Sequence, residues 1–206
     1  LATIAVESER LGRLVSDLLD QSALDAGVLR LVPDWCHLGS VVAAALAAVP
    51  GADPALGAVT ITGEPVPPLW GDHDRLCQVV VNLVENALRH SSGGTGVTVD
   101  LRPEPAGQVA LRVSDTGPGL DPEAAAELFG AWRQGGGAGP GPAGRAGLGL
   151  GLSIVRGIVG AHGGTVAVEP HGAEAGGRGT TFVVLVPVGP SGEEQGVWEP
   201  ADVEGV

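Results

Sequence analysis

The sequence predicts an α/β fold, a two-layer sandwich with a mixed sheet and helices on one face. Two observations predict it. Short apolar segments with strand-like alternation, bounded by Gly and Pro, are interspersed with segments of helical period along the chain. One of the helical segments, Asp72–His90, is apolar over a broad arc (Leu76, Val79, Val80, Leu83, Val84, Ala87) yet keeps a narrow polar stripe. Arg75, Gln78, Asn82, Asn86 and Arg89 make that stripe. A mostly buried helix with one line of amides and guanidinium groups lines something; the alternative is a solvated Glu85–Arg89 pair with surface asparagines.

In chain order, Leu1–Ala26 reads as a helix. Leu1, Ile4, Ser8, Leu11, Leu14 or Val15, and Leu18 trace a roughly heptad stripe, which asks for a partner helix or a second subunit. Gly27 is placed to end it. Val28–Trp35 is expected to be a strand, at an edge because of Pro33. Ser40 is expected to cap a helix over Val41–Val49, stopped by Pro50-Gly51. Ala58–Thr62 and Val66–Trp70 read as short strands. Asp72 sits where an N-cap belongs; capping accounts for Asp72-His73-Asp74 better than a metal site does, since no further ligands lie nearby.

Gly96–Arg102 and Gln108–Ser114 read as a hairpin joined through Pro103–Gly107. By strand parity Asp115 continues the inward face of Val109, Leu111 and Val113, so its carboxylate must find donors. The turn Thr116-Gly117-Pro118-Gly119 follows, and its glycines admit a ligand close to the backbone. An Asx turn at a strand end is the equal alternative. Asp121–Phe129 is a short helix opened by Asp121-Pro122. In Gln134–Gly147 nine of fourteen residues are Gly or Pro, which reads as a mobile lid or a disordered loop. It runs into Gly147-Leu148-Gly149-Leu150-Gly151-Leu152 and then an apolar helix, Ser153–Ala161. Glycines before a helix N-terminus make an anion site. Thr165–Val168 and Thr180–Val188 supply two more strands, and Gly189–Val206 is acidic and aperiodic, as expected of a disordered tail.

Composition removes several function classes. A net charge of −13 disfavours a nucleic-acid binder. All 11 basic residues are Arg, so neither a Walker A loop nor a protein-kinase strand Lys can be present. No run of 18 apolar residues is found, nor a signal-peptide pattern. Cys36 and Cys77 lack metal-ligand spacing and read as reduced thiols.

Four ordered motifs together resemble the ATP-binding domain of bacterial sensor histidine kinases, which share a Bergerat-type nucleotide fold with gyrase, mismatch-repair ATPases and a heat-shock chaperone. Asn82-Leu-Val-Glu-Asn86-Ala-Leu-Arg89-His90 matches the N box. Asp115-Thr-Gly117-Pro-Gly119 matches the first glycine box, Gly147–Leu152 the second, and Gly177-Arg-Gly179-Thr180-Thr-Phe182 the third. Leu128-Phe129 through Trp132-Arg133 matches the F box more loosely, and His162-Gly163-Gly164 also fits. Asp34-Trp35 with Leu38 and Val41-Val42 is similar to the potassium-responsive Kdp sensor kinases.

The resemblance implies roles for these residues. Asp115 would accept from the adenine amino group, directly and through a water shared with Thr180. Asn86 would hold Mg²⁺, and Arg89 would contact phosphate. Arg133 would reach the γ-phosphate. Gly147, Leu148 and Gly149 would offer amides to the phosphates, and Gly117, Gly119 and Leu150 belong to the cofactor-binding set. Asn82 and His90 complete the ATP-contacting set. Asn82 stands where hydrolysing relatives carry a general-base Glu, which points to phosphoryl transfer and away from hydrolysis.

By the same resemblance residues 1–27 are the second helix of a dimerisation and phosphotransfer hairpin, 28–188 the catalytic domain and 189–206 the tail. The implied partners are a phosphotransfer helix of the same or a partner subunit, a response regulator and, for the full-length protein, a second copy. The implied location is a cytoplasmic domain, in a protein that can be anchored in the inner membrane. None of His37, His73, His90, His162 or His171 has the His-acidic-x-x-x-Pro setting of a phosphoacceptor, so the chain is expected to be a fragment that binds ATP without phosphorylating itself. Two alternatives stay open, an anti-sigma-type serine kinase and a non-catalytic nucleotide-binding or dimerisation module.

Overall fold

The computed structural model describes residues 12, 15–16, 18–91, 96–119, 150–170 and 179–189. The expected helix Asp121–Phe129, the F box with Arg133, the stretch Gln134–Gly147, Leu148, Gly149 and the tail beyond Gly189 lie outside these residues. In chain order the elements are α1 (residues 18–25), β1 (Asp34–Cys36), α2 (Leu38–Ala48), β2 (Val59–Gly63), β3 (Leu69–Gly71), α3 (His73–His90), β4 (Val97–Glu104), β5 (Gln108–Ser114), α4 (Leu150–Ala161), β6 (Thr165–Pro170) and β7 (Thr180–Pro187).

Five strands form one sheet in the order β2-β4-β5-β7-β6. β2 runs parallel to β4, and every other pairing is antiparallel, so the sheet is mixed as expected. Strand alternation sends Val97, Val99 and Leu101 of β4, Val109, Leu111 and Val113 of β5, and Phe182, Val184 and Val186 of β7 into one core. Opposite them lie Val41, Val42 and Leu46 of α2, the apolar arc of α3, and Ile154, Val155, Ile158 and Val159 of α4. The helices therefore cover one face of the sheet. The small ribbon β1–β3 pairs Trp35 with Trp70, whose rings meet edge to face at 5.7 Å. It is fixed to the main sheet where the Trp70 amide donates to the Val188 carbonyl.

Several boundaries differ from expectation for identifiable reasons. The strand expected over Val28–Trp35 begins only at Asp34. Pro33 has no N–H, and the Val32 N–H is spent on Asp72 Oδ2 at 2.8 Å, so neither can enter a ladder. β3 starts at Leu69 after Pro65, Pro67 and Pro68, for the same reason. α2 starts at Leu38, with His37 in the capping position and Ser40 inside the first turn; burying Leu38 extends the helix. α4 begins at Leu150, so it starts inside the glycine box. The hairpin turn is tighter than Pro103–Gly107, because β4 runs on to Glu104. Gly27 does end α1, with Val28 N donating to Ala23 O and Gly27 N to Leu24 O, the paired bonds of a Schellman cap.

Candidate active site

The site is assembled from the C-terminal half of α3, the end of β5, the start of β7 and the first turn of α4. Asp72 starts α3 as expected: its Oδ1 accepts from the Asp74 and Arg75 amides, both at 3.1 Å. His162, at the end of α4, holds the same residue from behind. The Asp72 N–H donates to His162 Nε2 at 2.9 Å, which assigns the ring proton to Nδ1, where the Ile158 carbonyl accepts at 2.8 Å.

Asp115 lies at the end of β5 on the inward face and is only 4% exposed. Its Oδ1 accepts from the Gly117 amide at 2.8 Å, and its own amide donates to the Thr180 carbonyl at 2.9 Å. The Asx-turn reading is thus correct for Oδ1, while Oδ2 receives no hydrogen bond from any described residue. Backbone packs tightly around this carboxylate. A Cβ on Gly117 would collide with the His90 carbonyl and stand 2.8 Å from Asp115 Oδ1. A Cβ on Gly179, whose φ is +149°, would strike the Asp115 carbonyl, and Gly119 faces Gly179 in turn. Glycine at these positions leaves the carboxylate framed by main chain, with Thr180 buried beside it.

At the other end, Asn82 buries its Nδ2 without a partner among the described residues. A buried amide donor left unpaired costs about 1–3 kcal/mol, which an incoming acceptor would recover. Gly151, in the first turn of α4, brings the position of its missing Cβ to 3.5 Å from Asn82 Oδ1. The second glycine box therefore meets the N box side on. Asn86, half-buried, and the exposed Arg89 and His90 continue along α3 from Asn82 toward Gly117. The polar stripe divides, however. Arg75 and Gln78 do not line the site: Arg75 Nη1 donates to Asp20 Oδ1 at 2.7 Å and Gln78 Nε2 to Asp20 Oδ2 at 2.6 Å.

Among the described residues, no three or more His, Cys, Asp or Glu side chains gather as a metal site, and no helix is long and apolar enough to cross a membrane. Both thiols stand outside the site, Cys36 in the core and Cys77 beside His73 and the Val41 carbonyl.

A family described as histidine kinase-, DNA gyrase B- and HSP90-like ATPases matches residues 71–190, more than half of the chain. The chain belongs to this family. Within the ATPase family its similarity is to sensor histidine kinases. It is 40% identical over 171 residues to the probable sensor histidine kinase TcrY of Mycobacterium tuberculosis, covering 82% of this chain and 35% of that protein. It is 32% identical over 179 residues to the sensor protein KdpD of Escherichia coli, covering 85% of this chain and 18% of that one. The likeness to Kdp kinases expected from Asp34-Trp35 is thus present, but not stronger than to other sensor kinases. Among solved structures, full-length ShkA in complex with AMPPNP superposes with a TM-score of 0.69 at 26% identity, over 93% of this chain and 39% of that chain. The chain spans two fifths or less of the length of the first curated relatives it matches. The chain is therefore a domain of this ATPase family, similar to that of sensor histidine kinases, with the fold the sequence predicted.

Proposed function

We propose that the domain binds Mg²⁺-ATP in the cleft between α3 and the glycine turns and donates the γ-phosphoryl group to a histidine on a phosphotransfer helix. The observation that carries this is Asp115. An inward carboxylate, framed by Gly117 and Gly179 with one oxygen unspent among the described residues, is suited to accept from an exocyclic amine such as that of adenine. The other end suits phosphate. The Asn82 amide, without a partner among the described residues, donates, the α4 N-terminus at Leu150 and Gly151 presents its first-turn amides, and Arg89 supplies charge.

Asn86 Oδ1 would be the protein's oxygen ligand to Mg²⁺, whose chemistry there is to neutralise phosphate charge. The remaining roles follow the resemblance: Gly147, Leu148 and Gly149 at the phosphates, Arg133 at the γ-phosphate, His90, Gly119 and Thr180 around the nucleoside. With an amide at Asn82 in place of a general base, the site positions a phosphoryl group without activating water. The exposed Val15, Leu18 and Leu19 of the leading helix suit pairing with another helix, in keeping with a dimeric kinase that passes phosphate to a response regulator.

Calorimetric titration with AMPPNP, an ATP analogue, in the presence and absence of Mg²⁺ tests the reading. Saturable binding strengthened by Mg²⁺ is expected. Absence of binding in both titrations sinks it.

A further inference from the structure

We infer that α1 is a cross-brace that sets the width of the α3–α4 groove, with Asp20 and Gln21 as positioning residues for the phosphate end of the nucleotide site. This rests on the nucleotide reading above.

Neighbouring side chains of α1 grip different walls of the groove. Asp20, only 8% exposed, takes Arg75 and Gln78 of α3 with its two oxygens. Gln21 takes α4, accepting from Ser153 Oγ at 2.7 Å, and its own amide is held by Asp25 Oδ1 at 2.8 Å. One turn further along α1, Leu24 packs into the space left by the missing side chain of Gly157, where any Cβ would overlap its methyl groups. Arg75 also donates to Gln78 Oε1 at 2.9 Å, so the three polar groups on α3 and α1 form one closed unit.

The grip points lie next to the site. Gln78 is one helical turn before Asn82 on α3, and Ser153 is two residues after Gly151 on α4. Asn82 and Gly151 are the residues that face each other across the groove at the phosphate end. A brace fastened one turn away on both walls fixes the spacing between them. Adenosine contacts at Asp115, at the far end of α3, do not depend on that spacing. Docking of α1 and binding of the polyphosphate are therefore coupled, and each strengthens the other.

The test uses the whole chain, with affinities for AMPPNP-Mg²⁺ and for adenosine measured by titration under NMR. Asp20→Ala and Gln21→Ala should each weaken AMPPNP by about five- to tenfold while leaving adenosine affinity unchanged. The double variant should lose little more than either single one, because both act through one brace. Gln21 is partly exposed, so Gln21→Ala keeps the test open if Asp20→Ala does not fold. Reciprocally, the distance between spin labels at the exposed positions 18 and 60 should narrow in distribution when AMPPNP is added to the otherwise wild-type chain. Unchanged AMPPNP affinity in the variants, or parallel loss of adenosine affinity, overturns the brace. A wild type that binds neither ligand overturns the nucleotide reading, and the brace with it.

Discussion

At the scale of single residues, Asp115 is where charge, parity and backbone coincide. Asp115→Asn keeps an oxygen for the Gly117 amide but replaces the unspent oxygen with an amide donor. The loss of a charge-assisted bond should cost about 1.5–3 kcal/mol, or roughly ten- to a hundredfold in AMPPNP affinity. Calorimetry on the variant measures it directly, and unaltered affinity removes Asp115 from the site. The thiols make a separate prediction. Burial, then the Asp34 charge, pushes Cys36 above the ordinary thiol value, and burial with Asp74 does the same to Cys77. The unfolded chain ionises its thiols near the ordinary value of about 8.5, whereas the folded chain holds the protons longer. Their contribution is thus full below that pH and is lost as pH rises through the folded values. Urea unfolding at pH values of about 7.5 and 9.5 should show a fall in stability that Cys36→Ala diminishes.

Single residues were also where the sequence spoke most clearly about the site. Asp115 was legible because strand parity is strict, and Asp72 because N-capping is local. Asp20 was not legible. Its partners lie 55 and 58 residues away, and nothing in its own helix distinguishes it from a solvated acid. Gly157 was equally silent, since what it avoids is a helix brought up from elsewhere, and Gly179 was visible only as part of a glycine box, not as the residue that makes room for the Asp115 carbonyl.

At the scale of elements, α3 shows how one residue serves two neighbours. Asp72 caps the helix with Oδ1 and holds the Val32 amide with Oδ2. Asp72→Ala should lower stability by about 1–3 kcal/mol. Asp72→Asn keeps the cap acceptor but turns an amide donor toward Val32 N–H, so it should release the connection from α1 at smaller cost. Thermal unfolding of the two variants orders them, and equal losses would mean that the cap carries nothing. Among the described residues the elements were read correctly in kind and misjudged at their ends. Strand ends moved where a side chain or a proline took an amide out of its ladder, as at Val32, Pro33 and Pro67-Pro68, which periodicity does not register.

At the scale of the molecule, the order of motifs made the family visible before any fold was seen, because four patterns at the right succession are far more specific than one. The arrangement also bears on self-modification. His162 engages both ring nitrogens inside the fold, and none of the five histidines has an acceptor setting. Incubation with γ-labelled ATP should leave the chain unlabelled, while an added helical hairpin bearing an acceptor histidine becomes labelled. Acid-labile radioactivity on the chain alone would contradict this reading. Efficient transfer should further require the exposed residues Val15, Leu18 and Leu19, so replacing Leu18 and Leu19 with Ser should slow labelling without altering AMPPNP affinity.

The Trp35–Trp70 pair has an optical consequence. Two indoles 5.7 Å apart with planes 68° from each other are close and skewed enough to share their electronic excitations, which gives a signed doublet in circular dichroism near the indole absorption. The pair sits on the ribbon that follows the Val32 attachment and is bonded to the end of β7. The chain thus carries a built-in chromophore pair on the ribbon between the Val32 attachment and the end of β7. Its doublet can report, without any label, whether the ribbon keeps its place against the main sheet.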